Sequence, residues 1–357
     1  MSPAHPQPRR GAGLIARYRD LLPVGNDTPI ISLGEGSTPL VLSQRLSEET
    51  GAEVWLKYEG LNPTGSFKDR GMTLAISKAV EEGSKAVVCV STGNTSASAA
   101  AYAARAGMTC AVLIPGGQVA RGKLAQAAMH GARVLEIEDN FDRALELVTE
   151  IAREHAVTVV NSINPFRIEG QKTAAFEVVE ALDGAPDLHL MPVGNAGNIT
   201  AYWRGYREAR EAAWSDSLPR MFGFQAEGAA PIVRGSKVDE PHTVATAIRI
   251  GNPASWSGAD DAAGASGGAI QAVTDDEIIA SHRGLAEEGL FVELASAAGV
   301  AGLRRLAAAG DVPTGARIVC VLTGHGLKDP EWAISSSPPV TPVSSDVKSL
   351  ASAMNLV

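Results

Sequence analysis

The chain has 357 residues, of which 45% are apolar and 20% charged, a composition that excludes a mainly disordered protein. A single hydrophobic core stops growing near ~250–300 residues, so this length predicts two lobes. Acidic residues exceed basic ones by 40 − 31 = 9, and the net charge of −9 argues against nucleic acid or an anionic membrane as a partner.

The sequence carries no sign of export or membrane insertion. No apolar run reaches the roughly 18 residues of a membrane span. Residues 1–10 are charged but lack the apolar segment of a secretory signal. Cys89, Cys110 and Cys320 lie in or beside apolar runs, and their spacing matches no metal site. We therefore expect reduced core thiols, no bound metal and a cytoplasmic location.

From about residue 53, short β-branched runs alternate with longer amphipathic segments. Strands are predicted at 53–58, 86–90, 110–114, 133–137, 157–160, 188–193, 221–226 and 318–322. Helices are predicted at 71–82, 95–106, 120–130, 140–155, 171–182, 199–212, 274–288 and 295–309. This alternation indicates an α/β fold built from βαβ units around parallel sheets.

Three segments interrupt this alternation. Residues 161–167 form a break, and the Gly-, Ala- and Ser-rich residues 249–268 are predicted to be a loop. Residues 335–339 are predicted to be non-helical, with a short helix starting at Val347.

The first of four polar or glycine-rich turns covers residues 62–71. Pro63 and Gly65 predict a turn and Ser66 a helix cap, which places Lys68 in the first helical turn. The positive end of the helix dipole favours the neutral amine of a lysine there. A neutral amine can attack an aldehyde, whereas the alternative is a solvated lysine at a loop edge.

Two further turns each follow a predicted strand. Five hydrogen-bonding side chains in residues 91–96 favour an anion site over plain helix capping, which would use one or two of them. Residues 194–198 (GNAGN) can close backbone N–H groups around a phosphate, and a simple tight turn is the alternative. Their glycine spacing is not the dinucleotide-binding pattern.

Residues 117–124 (GQVARGKL) nearly match the nucleotide-binding P-loop. Leu124 stands where that loop needs a Ser or Thr for Mg²⁺, so we interpret the segment as a polar helix edge.

The fourth turn, residues 320–329, follows the last strand. The hydroxyl of Thr323 suits a neutral ring nitrogen, or is satisfied by backbone. His325 lacks an evident Asp or Ser partner and is left out of the catalytic set.

Together these turns describe a pyridoxal-phosphate site. Over nearly its whole length the chain resembles fold-type II pyridoxal-phosphate enzymes, and among them the threonine synthase family. The resemblance rests on an N-terminal motif at 34–40 (GEGSTPL), a lysine motif at 65–71 (GSFKDRG) and a C-terminal motif at 322–329 (LTGHGLKD). In the C-terminal motif the family commonly has Asn in place of His325.

The resemblance implies two parallel-sheet-based lobes, like those of the tryptophan synthase β subunit, with the site in the cleft between them. The large pyridoxal-phosphate-binding lobe would comprise residues 1–54 and 163–357, the latter including the C-terminal tail. Residues 55–162 would form the small inserted lobe. Homodimers are usual in this family.

The resemblance also implies a role for each site residue. Lys68 would be catalytic and would hold pyridoxal 5'-phosphate as a Schiff base. The other cofactor-binding residues would be Asn94, at the ring hydroxyl, Thr323, at the ring nitrogen, and the phosphate-binding residues Gly194, Asn195, Ala196, Gly197 and Asn198. The substrate α-carboxylate would be held by Ser91, Thr92 and Thr95, and the substrate phosphate by Asn161, Ser162, Arg167 and Asn195.

The reaction implied is conversion of O-phospho-L-homoserine and water to L-threonine and phosphate, by γ-elimination and β-addition. Two alternatives are a threonine or serine dehydratase on the same fold and a non-catalytic binding protein that keeps the fold. Residues 194–198 and Thr323 depart from the usual dehydratase pattern, and Lys68 argues against a binding protein. For Arg167 alone, the alternative is that it lies in a hinge between the lobes and pairs with a surface acid.

Overall fold

The computed structural model describes residues 12–116, 121–139 and 141–356, and within these ranges ten strands form two sheets. In chain order the strands are β1 (Leu40–Leu42), β2 (Glu53–Tyr58), β3 (Ala86–Val90), β4 (Thr109–Pro115), β5 (Arg133–Ile137), β6 (Val157–Val159), β7 (Leu188–Pro192), β8 (Arg220–Ala226), β9 (Ala269–Val273) and β10 (Arg317–Leu322).

The larger sheet has the strand order β1-β2-β10-β7-β8-β9, and the smaller sheet has the order β5-β4-β3-β6. Strand β1 runs antiparallel to β2, and the other neighbouring pairs are parallel. Parallel neighbours need crossover connections, which explains why amphipathic segments separate the short apolar runs. The predicted α/β fold with parallel sheets is confirmed. Strand β2, which crosses the expected lobe boundary at residues 54 and 55, belongs to the larger sheet.

Fourteen helices lie within the described ranges. They are α1 (Gly13–Arg17), α2 (Gln44–Thr50), α3 (Lys68–Glu81), α4 (Asn94–Arg105), α5 (Arg121–Met129), α6 (Phe141–Glu154), α7 (Pro165–Leu182), α8 (Gly197–Glu211), α9 (Pro231–Arg234), α10 (Trp256–Ser266), α11 (Asp275–Glu287), α12 (Ala297–Ala309), α13 (Pro330–Ser336) and α14 (Val347–Ala353). None of these helices combines the length and the apolarity that a bilayer crossing requires.

Hydrophobic cores lie on both faces of the larger sheet. One core contains Phe224 and Leu322 from the strands and side chains from α11 and α12. The other contains Val321 and side chains from α7 and α8. Burial on both faces requires nearly continuous apolar strands, as the sequence of β10 shows.

The three cysteines lie inside these cores. Cys89 and Cys110 belong to the core between the smaller sheet and the Ala-rich helix α4, and Cys320 belongs to the larger sheet. All three are buried free thiols, so the prediction of reduced core thiols is confirmed. Burial raises the pKa of the Cys89 thiol, which keeps it protonated and unreactive.

Two helices near the candidate site pass each other at backbone contact. A Cβ atom on Gly170 of α7 would lie 2.0 Å from the carbonyl oxygen of Arg70 in α3. Only glycine permits this approach, which fixes the start of α3 against α7. Lys68, the first residue of α3, is therefore held by a rigid helix pair.

A buried ion-pair network surrounds the same crossing. Arg70 contacts Glu59 at 2.7 Å and Glu177 at 2.7 Å, and Lys57 contacts Glu177 at 2.7 Å. The backbone N–H of Ser37 also donates to Glu177, at 2.7 Å. The network joins the N-terminal motif to the lysine motif. Removing one partner of such a network leaves a buried charge uncompensated and is strongly destabilising.

The structure corrects several local predictions. Residues 249–268 are not all loop, because α10 occupies 256–266. Helix α13 extends to Ser336, so the non-helical prediction is wrong at Ser335 and Ser336. Helix α7 begins at Pro165, inside the predicted break. The predicted helix starting at Val347 is confirmed. Strands β1 and β9 and helix α2 were not predicted.

In the near match to the P-loop, residues 117–120 lie outside the described residues. Helix α5 begins directly after them, at Arg121.

Candidate active site

The lysine motif and the C-terminal motif form one structural unit. The backbone N–H of Phe67 donates to the carbonyl oxygen of Thr323 at 3.0 Å, and that of His325 donates to Gly65 at 2.9 Å. Ser66 and Gly324 pair as an isolated antiparallel bridge. The turn before α3 is thus fixed against the end of β10.

Lys68 is the first residue of α3, so the prediction that it lies in the first helical turn is confirmed. Its side chain is partly buried. Its helix cap is Phe67 rather than Ser66, whose hydroxyl lies 3.4 Å from the Lys68 backbone nitrogen. The Lys68 Nζ lies 4.0 Å from the centre of the Phe67 ring. In the described part of the chain, no group forms a hydrogen bond or ion pair with this Nζ.

The electrostatic surroundings of Lys68 favour its neutral form. Burial lowers the pKa of Lys68 to about 7, the positive charge of Arg167 acts in the same direction, and Glu293 opposes both. An amine with this pKa is substantially neutral near pH 7, so it is a competent nucleophile toward an aldehyde.

A buried carboxylate connects the two side chains expected at the cofactor ring. Asn94 donates through Nδ2 to Glu293 Oε2 at 2.8 Å, and Thr323 donates through Oγ1 to Glu293 Oε1 at 2.9 Å. Glu293 is 2% exposed. Sequence reasoning missed Glu293, which follows β-branched and aromatic residues in an apolar segment and resembles no motif position.

The polar turn after β3 leaves two hydroxyl groups available. Ser91 Oγ accepts from the Gly93 N–H at 3.2 Å, and Ser96 donates to the Gly93 carbonyl at 2.7 Å. In the described residues, no group bonds to the Thr92 or Thr95 hydroxyls, which are partly exposed at the start of α4. Local capping therefore does not account for all the polar groups of this turn.

The turn after β7 has the form of an anion site. Ala196 has φ +63°, and it leads into the 15-residue helix α8, whose first turn contains Asn198. The Nδ2 of Asn198 is buried and has no hydrogen-bond partner in the described residues. A buried amide without a partner at a helix N-terminus is the environment that a bound phosphate would satisfy.

The segment before α10 covers the outer side of this turn. Asn195 accepts through Oδ1 from the Ala254 N–H at 3.0 Å and through its carbonyl from the Ser255 N–H at 3.1 Å. A Cβ atom on Gly194 would lie 3.1 Å from Ile248 Cα. Part of the segment that the sequence predicted to be a loop therefore supports the turn.

The residues expected at the substrate phosphate have different environments. Both ends of the Asn161 amide bond the Val90 backbone, at 3.0 Å each, so this side chain connects β3 to the start of the break. Ser162 is partly exposed and lies in the turn that follows. Asn195 has its side-chain oxygen directed at Ala254.

Arg167 is 1% exposed and forms only one side-chain hydrogen bond in the described residues, from Nη1 to the Val160 carbonyl at 2.8 Å. Its Nε has no partner there. Burial lowers the pKa of Arg167 to about 10. The described residues place no carboxylate within ion-pair distance, so the alternative of a surface salt bridge is wrong. A buried guanidinium without an anion next to Lys68 is suited to an anionic ligand.

His325 has a packing role. Its ring stacks on Tyr58 with an interplanar angle of 2° and meets Phe291 edge-on. Its Nδ1 accepts from the Leu327 N–H at 3.2 Å. These contacts agree with leaving His325 out of the catalytic set.

Comparisons with known proteins agree on the family. Residues 31–324 match the family described as "Pyridoxal-phosphate dependent enzyme". The chain is 58% identical to a threonine synthase of Halalkalibacterium halodurans, over 91% of this chain and 92% of that protein. It is 57% identical to a threonine synthase of Mycobacterium leprae, over 97% of this chain and 96% of that protein. It is 51% identical to a threonine synthase of Methanocaldococcus jannaschii, over 90% of this chain and 82% of that protein.

Solved structures show the same fold at lower sequence identity. Maize serine racemase superimposes with a TM-score of 0.74 at 20% identity, covering 91% of this chain and 97% of that one. The processed form of threonine deaminase isoform 2 from Solanum lycopersicum superimposes with a TM-score of 0.72 at 21% identity, covering 85% of this chain and 88% of that one.

Proposed function

Because this chain belongs to the family of pyridoxal-phosphate dependent enzymes, we propose that it is a threonine synthase that converts O-phospho-L-homoserine and water to L-threonine and phosphate. The support comes from threonine synthases 51–58% identical over most of the chain. The serine racemase and threonine deaminase structures share the fold at about 20% identity, which carries no argument about the reaction.

The observation that carries the proposal is the buried Arg167 guanidinium, which lacks an anionic partner among the described residues and lowers the pKa of Lys68. A dehydratase acts on a hydroxyl group and needs no second anion site. A synthase must hold a leaving phosphate, and a guanidinium presents a planar fork of donors to phosphate oxygens.

The described residues fit pyridoxal 5'-phosphate. Lys68 offers a neutral amine, and the Asn198 amide lacks a partner in the described residues beside an α-helix N-terminus. We assign the ring hydroxyl to Asn94 and the ring nitrogen to Thr323. The assignment for the cofactor phosphate is Gly194, Asn195, Ala196, Gly197 and Asn198. When bound, the cofactor supplies the electron sink for carbanion chemistry.

The remaining site residues bind and orient the substrate. Ser91, Thr92 and Thr95 hold the α-carboxylate at the N-terminus of α4, where unpaired N–H groups favour an anion. Ser162, Arg167 and Asn195 receive the phosphate. Asn161 supports this phosphate site by holding the start of residues 161–167 against β3, because its amide is bonded to the Val90 backbone. Lys68 then moves protons between substrate carbons.

We further propose a cytoplasmic homodimer with two lobes. The expected bounds are residues 1–54 and 163–357 for the large lobe and 55–162 for the small lobe. We move the end of β2 into the large lobe because β2 pairs with β10, so the small lobe begins after Tyr58. The cleft between the lobes would hold the site and exclude water on closure.

The test is to incubate the purified protein with O-phospho-L-homoserine and to measure phosphate and L-threonine together. We expect equal amounts of both, and no 2-oxo acid from L-threonine or L-serine. Lys68→Ala should abolish both products. Phosphate without threonine, or rapid 2-oxo acid formation, would contradict the proposal.

A further inference from the structure

Asp69, the residue after Lys68, is a buried carboxylate to which the proposed function gives no role. Its side chain is fully buried, and a carboxylate is rarely buried unless other groups bond it. Oδ2 accepts from the Thr64 N–H at 2.7 Å. Oδ1 accepts from the Thr64 hydroxyl at 2.6 Å and from the Ser98 hydroxyl at 2.6 Å. One carboxylate therefore bonds two separate segments, the turn before α3 and the helix α4.

The bonds to Thr64 close the turn that carries Lys68. Within this turn Gly65 has φ +87°, and its N–H donates to the Asn62 carbonyl at 2.8 Å. Asp69 bonds both the backbone and the side chain of Thr64 from the first turn of α3. The turn is therefore fixed against the helix that begins at Lys68.

The bond to Ser98 reaches the helix that begins at the polar turn. Helix α4 starts at Asn94, and Ser98 lies four residues after Asn94 and three after Thr95. Side chains at these spacings lie on one face of a helix. Ser98 therefore lies one helical turn beyond Thr95, which we assign to the substrate α-carboxylate.

A second bond holds the same end of α4. Asn94 donates to Glu293 at 2.8 Å, and this bond involves neither Ser98 nor Asp69. A helix held at one point can pivot about it, whereas bonds on two successive turns fix its direction. The Ser98 bond therefore decides where the N–H groups at the start of α4 point, and these groups favour an anion.

Asp69 is ionised above neutral pH, as three donated hydrogen bonds require. Burial raises the pKa of Asp69 to about 6, while the bonds from Ser98 and Thr64 and the charge of Lys328 act in the opposite direction. At pH 8 the carboxylate is ionised and can only accept hydrogen bonds.

We propose that Asp69 is a positioning residue that acts through Ser98 to orient the N-terminus of α4 toward the substrate α-carboxylate. The inference rests on the proposed function, which assigns the carboxylate to this helix end. Asp69 ties α4 to the turn that carries Lys68, so the catalytic amine and the carboxylate site keep a fixed separation. Small errors in such a separation are costly to a reaction that needs aligned groups.

The test compares two ligands of the holoenzyme at pH 8 by isothermal titration calorimetry. L-Threonine carries an amine and an α-carboxylate, whereas 3-aminopropyl phosphate carries an amine and a phosphate but no carboxylate. Ser98→Ala removes the bond to α4 and keeps both bonds to Thr64. It should weaken L-threonine binding by roughly 2- to 30-fold and leave 3-aminopropyl phosphate binding unchanged.

Ser77→Ala is the matched control. Ser77 is a fully buried serine of α3 whose Oγ accepts from the Ile31 N–H at 3.0 Å. Its loss also removes one buried hydrogen bond and should lower the thermal midpoint, but it should leave the affinities for both ligands unchanged. A purely structural effect of Ser98→Ala would give the same pattern as this control.

Asp69→Ala is the second variant. The effect of Ser98→Ala on L-threonine binding should disappear when Asp69 is already alanine, because one residue acts through the other. Unchanged L-threonine affinity in Ser98→Ala, or an equal loss for both ligands, would overturn the inference. So would a further loss in a folded double variant. These outcomes leave threonine formation from O-phospho-L-homoserine intact, whereas failure of the proposed function would appear as a wild type that makes no threonine.

Discussion

A Cβ atom on Gly71 would lie 2.6 Å from Nε of Arg167 and 2.7 Å from its carbonyl oxygen. The last glycine of the lysine motif therefore makes room for the buried guanidinium beside the first turn of α3. This relationship explains why the motif around Lys68 continues into the helix, where glycine otherwise weakens helical structure.

Gly71→Ala should destabilise the protein by about 1–3 kcal/mol through overpacking and should lower kcat/KM for O-phospho-L-homoserine. The matched control is Gly264→Ala in α10, where an added Cβ meets no atom within 4 Å. The control should be neutral or stabilising by about 0.5–1 kcal/mol. Thermal unfolding and steady-state kinetics measure both effects, and equal behaviour of the two variants would contradict the packing argument.

The pKa of Lys68 predicts the pH dependence of cofactor attachment. Burial lowers this pKa to about 7, so the amine is protonated and unreactive below pH 7 and neutral above it. The rate at which apoprotein takes up pyridoxal phosphate should rise with pH through about 7 and then level off. An ordinary lysine would give a rate that keeps rising toward pH 10.

Borohydride reduction and peptide mapping should place the label on Lys68. Label on Lys57, whose amine bonds Thr38 and Glu177, would show that the site is misplaced.

Patterning predicted the repeating elements well because their signals are local. The apolar run of β3 and the amphipathic segment of α6 can each be recognised within a few residues. Helix α10 gave no such signal. Its Gly and Ala residues resemble a loop, but Ala259 and Ala262 are buried, and a Cβ on Gly258 would lie 2.3 Å from the Thr200 hydroxyl. Small residues here serve close packing against α8.

The site residues likewise fall into those that a local motif marks and those that only tertiary contacts define. Lys68 and Thr323 lie in motifs and could be found from sequence. Glu293 could not, because its importance depends on the Asn94 and Thr323 side chains and on the space at Gly324, all distant in the chain. The engagement of Asn161 with the Val90 backbone is likewise a tertiary contact that no local pattern encodes.

Substitutions at Thr323 should distinguish the effect of a lost hydrogen bond on cofactor binding from the effect of an added negative charge. Thr323→Ala removes one hydrogen bond to the ring and should weaken cofactor binding by about 0.5–1.5 kcal/mol. Thr323→Asp should be worse, because the new carboxylate would face Glu293 at hydrogen-bond distance and like charges repel. Thr323→Ser keeps the hydroxyl and is the control. Equilibrium dialysis and turnover measure the series, and undiminished activity in Thr323→Asp would refute the neutral-partner assignment.

Arg167→Ala should reduce transition-state stabilisation toward O-phospho-L-homoserine by about 2–4 kcal/mol, by analogy with the loss of single oxyanion donors. Cofactor absorbance should remain normal, because we assign the cofactor phosphate to residues 194–198. Arg167→Lys should recover a small part, since an ammonium lacks the planar fork of donors.

The control for Arg167 is Arg204→Ala on α8. Arg204 is 51% exposed, and its partners Glu169 and Glu208 both also pair with Lys172, so its loss should change activity little. Full activity in Arg167→Ala, or activity lost because the cofactor is lost, would show that Arg167 is structural.

Asn198→Ala should have opposite effects on apoprotein and holoprotein. The Asn198 Nδ2 is buried and has no partner in the described residues, and such a group costs about 1–3 kcal/mol in the absence of a ligand. Removing it should therefore leave the thermal midpoint of the apoprotein unchanged or raise it. The same change removes a donor to the cofactor phosphate, so cofactor affinity and the thermal midpoint of the holoprotein should fall.

Asn62→Ala is the control with an occupied amide, because Asn62 bonds Glu59 and the Gly36 N–H, and it should lower the apoprotein midpoint. Thermal unfolding with and without pyridoxal phosphate measures each case. An Asn198→Ala apoprotein that is destabilised as much as Asn62→Ala, with unchanged cofactor affinity, would show that Asn198 supports the fold and that other groups bind the phosphate.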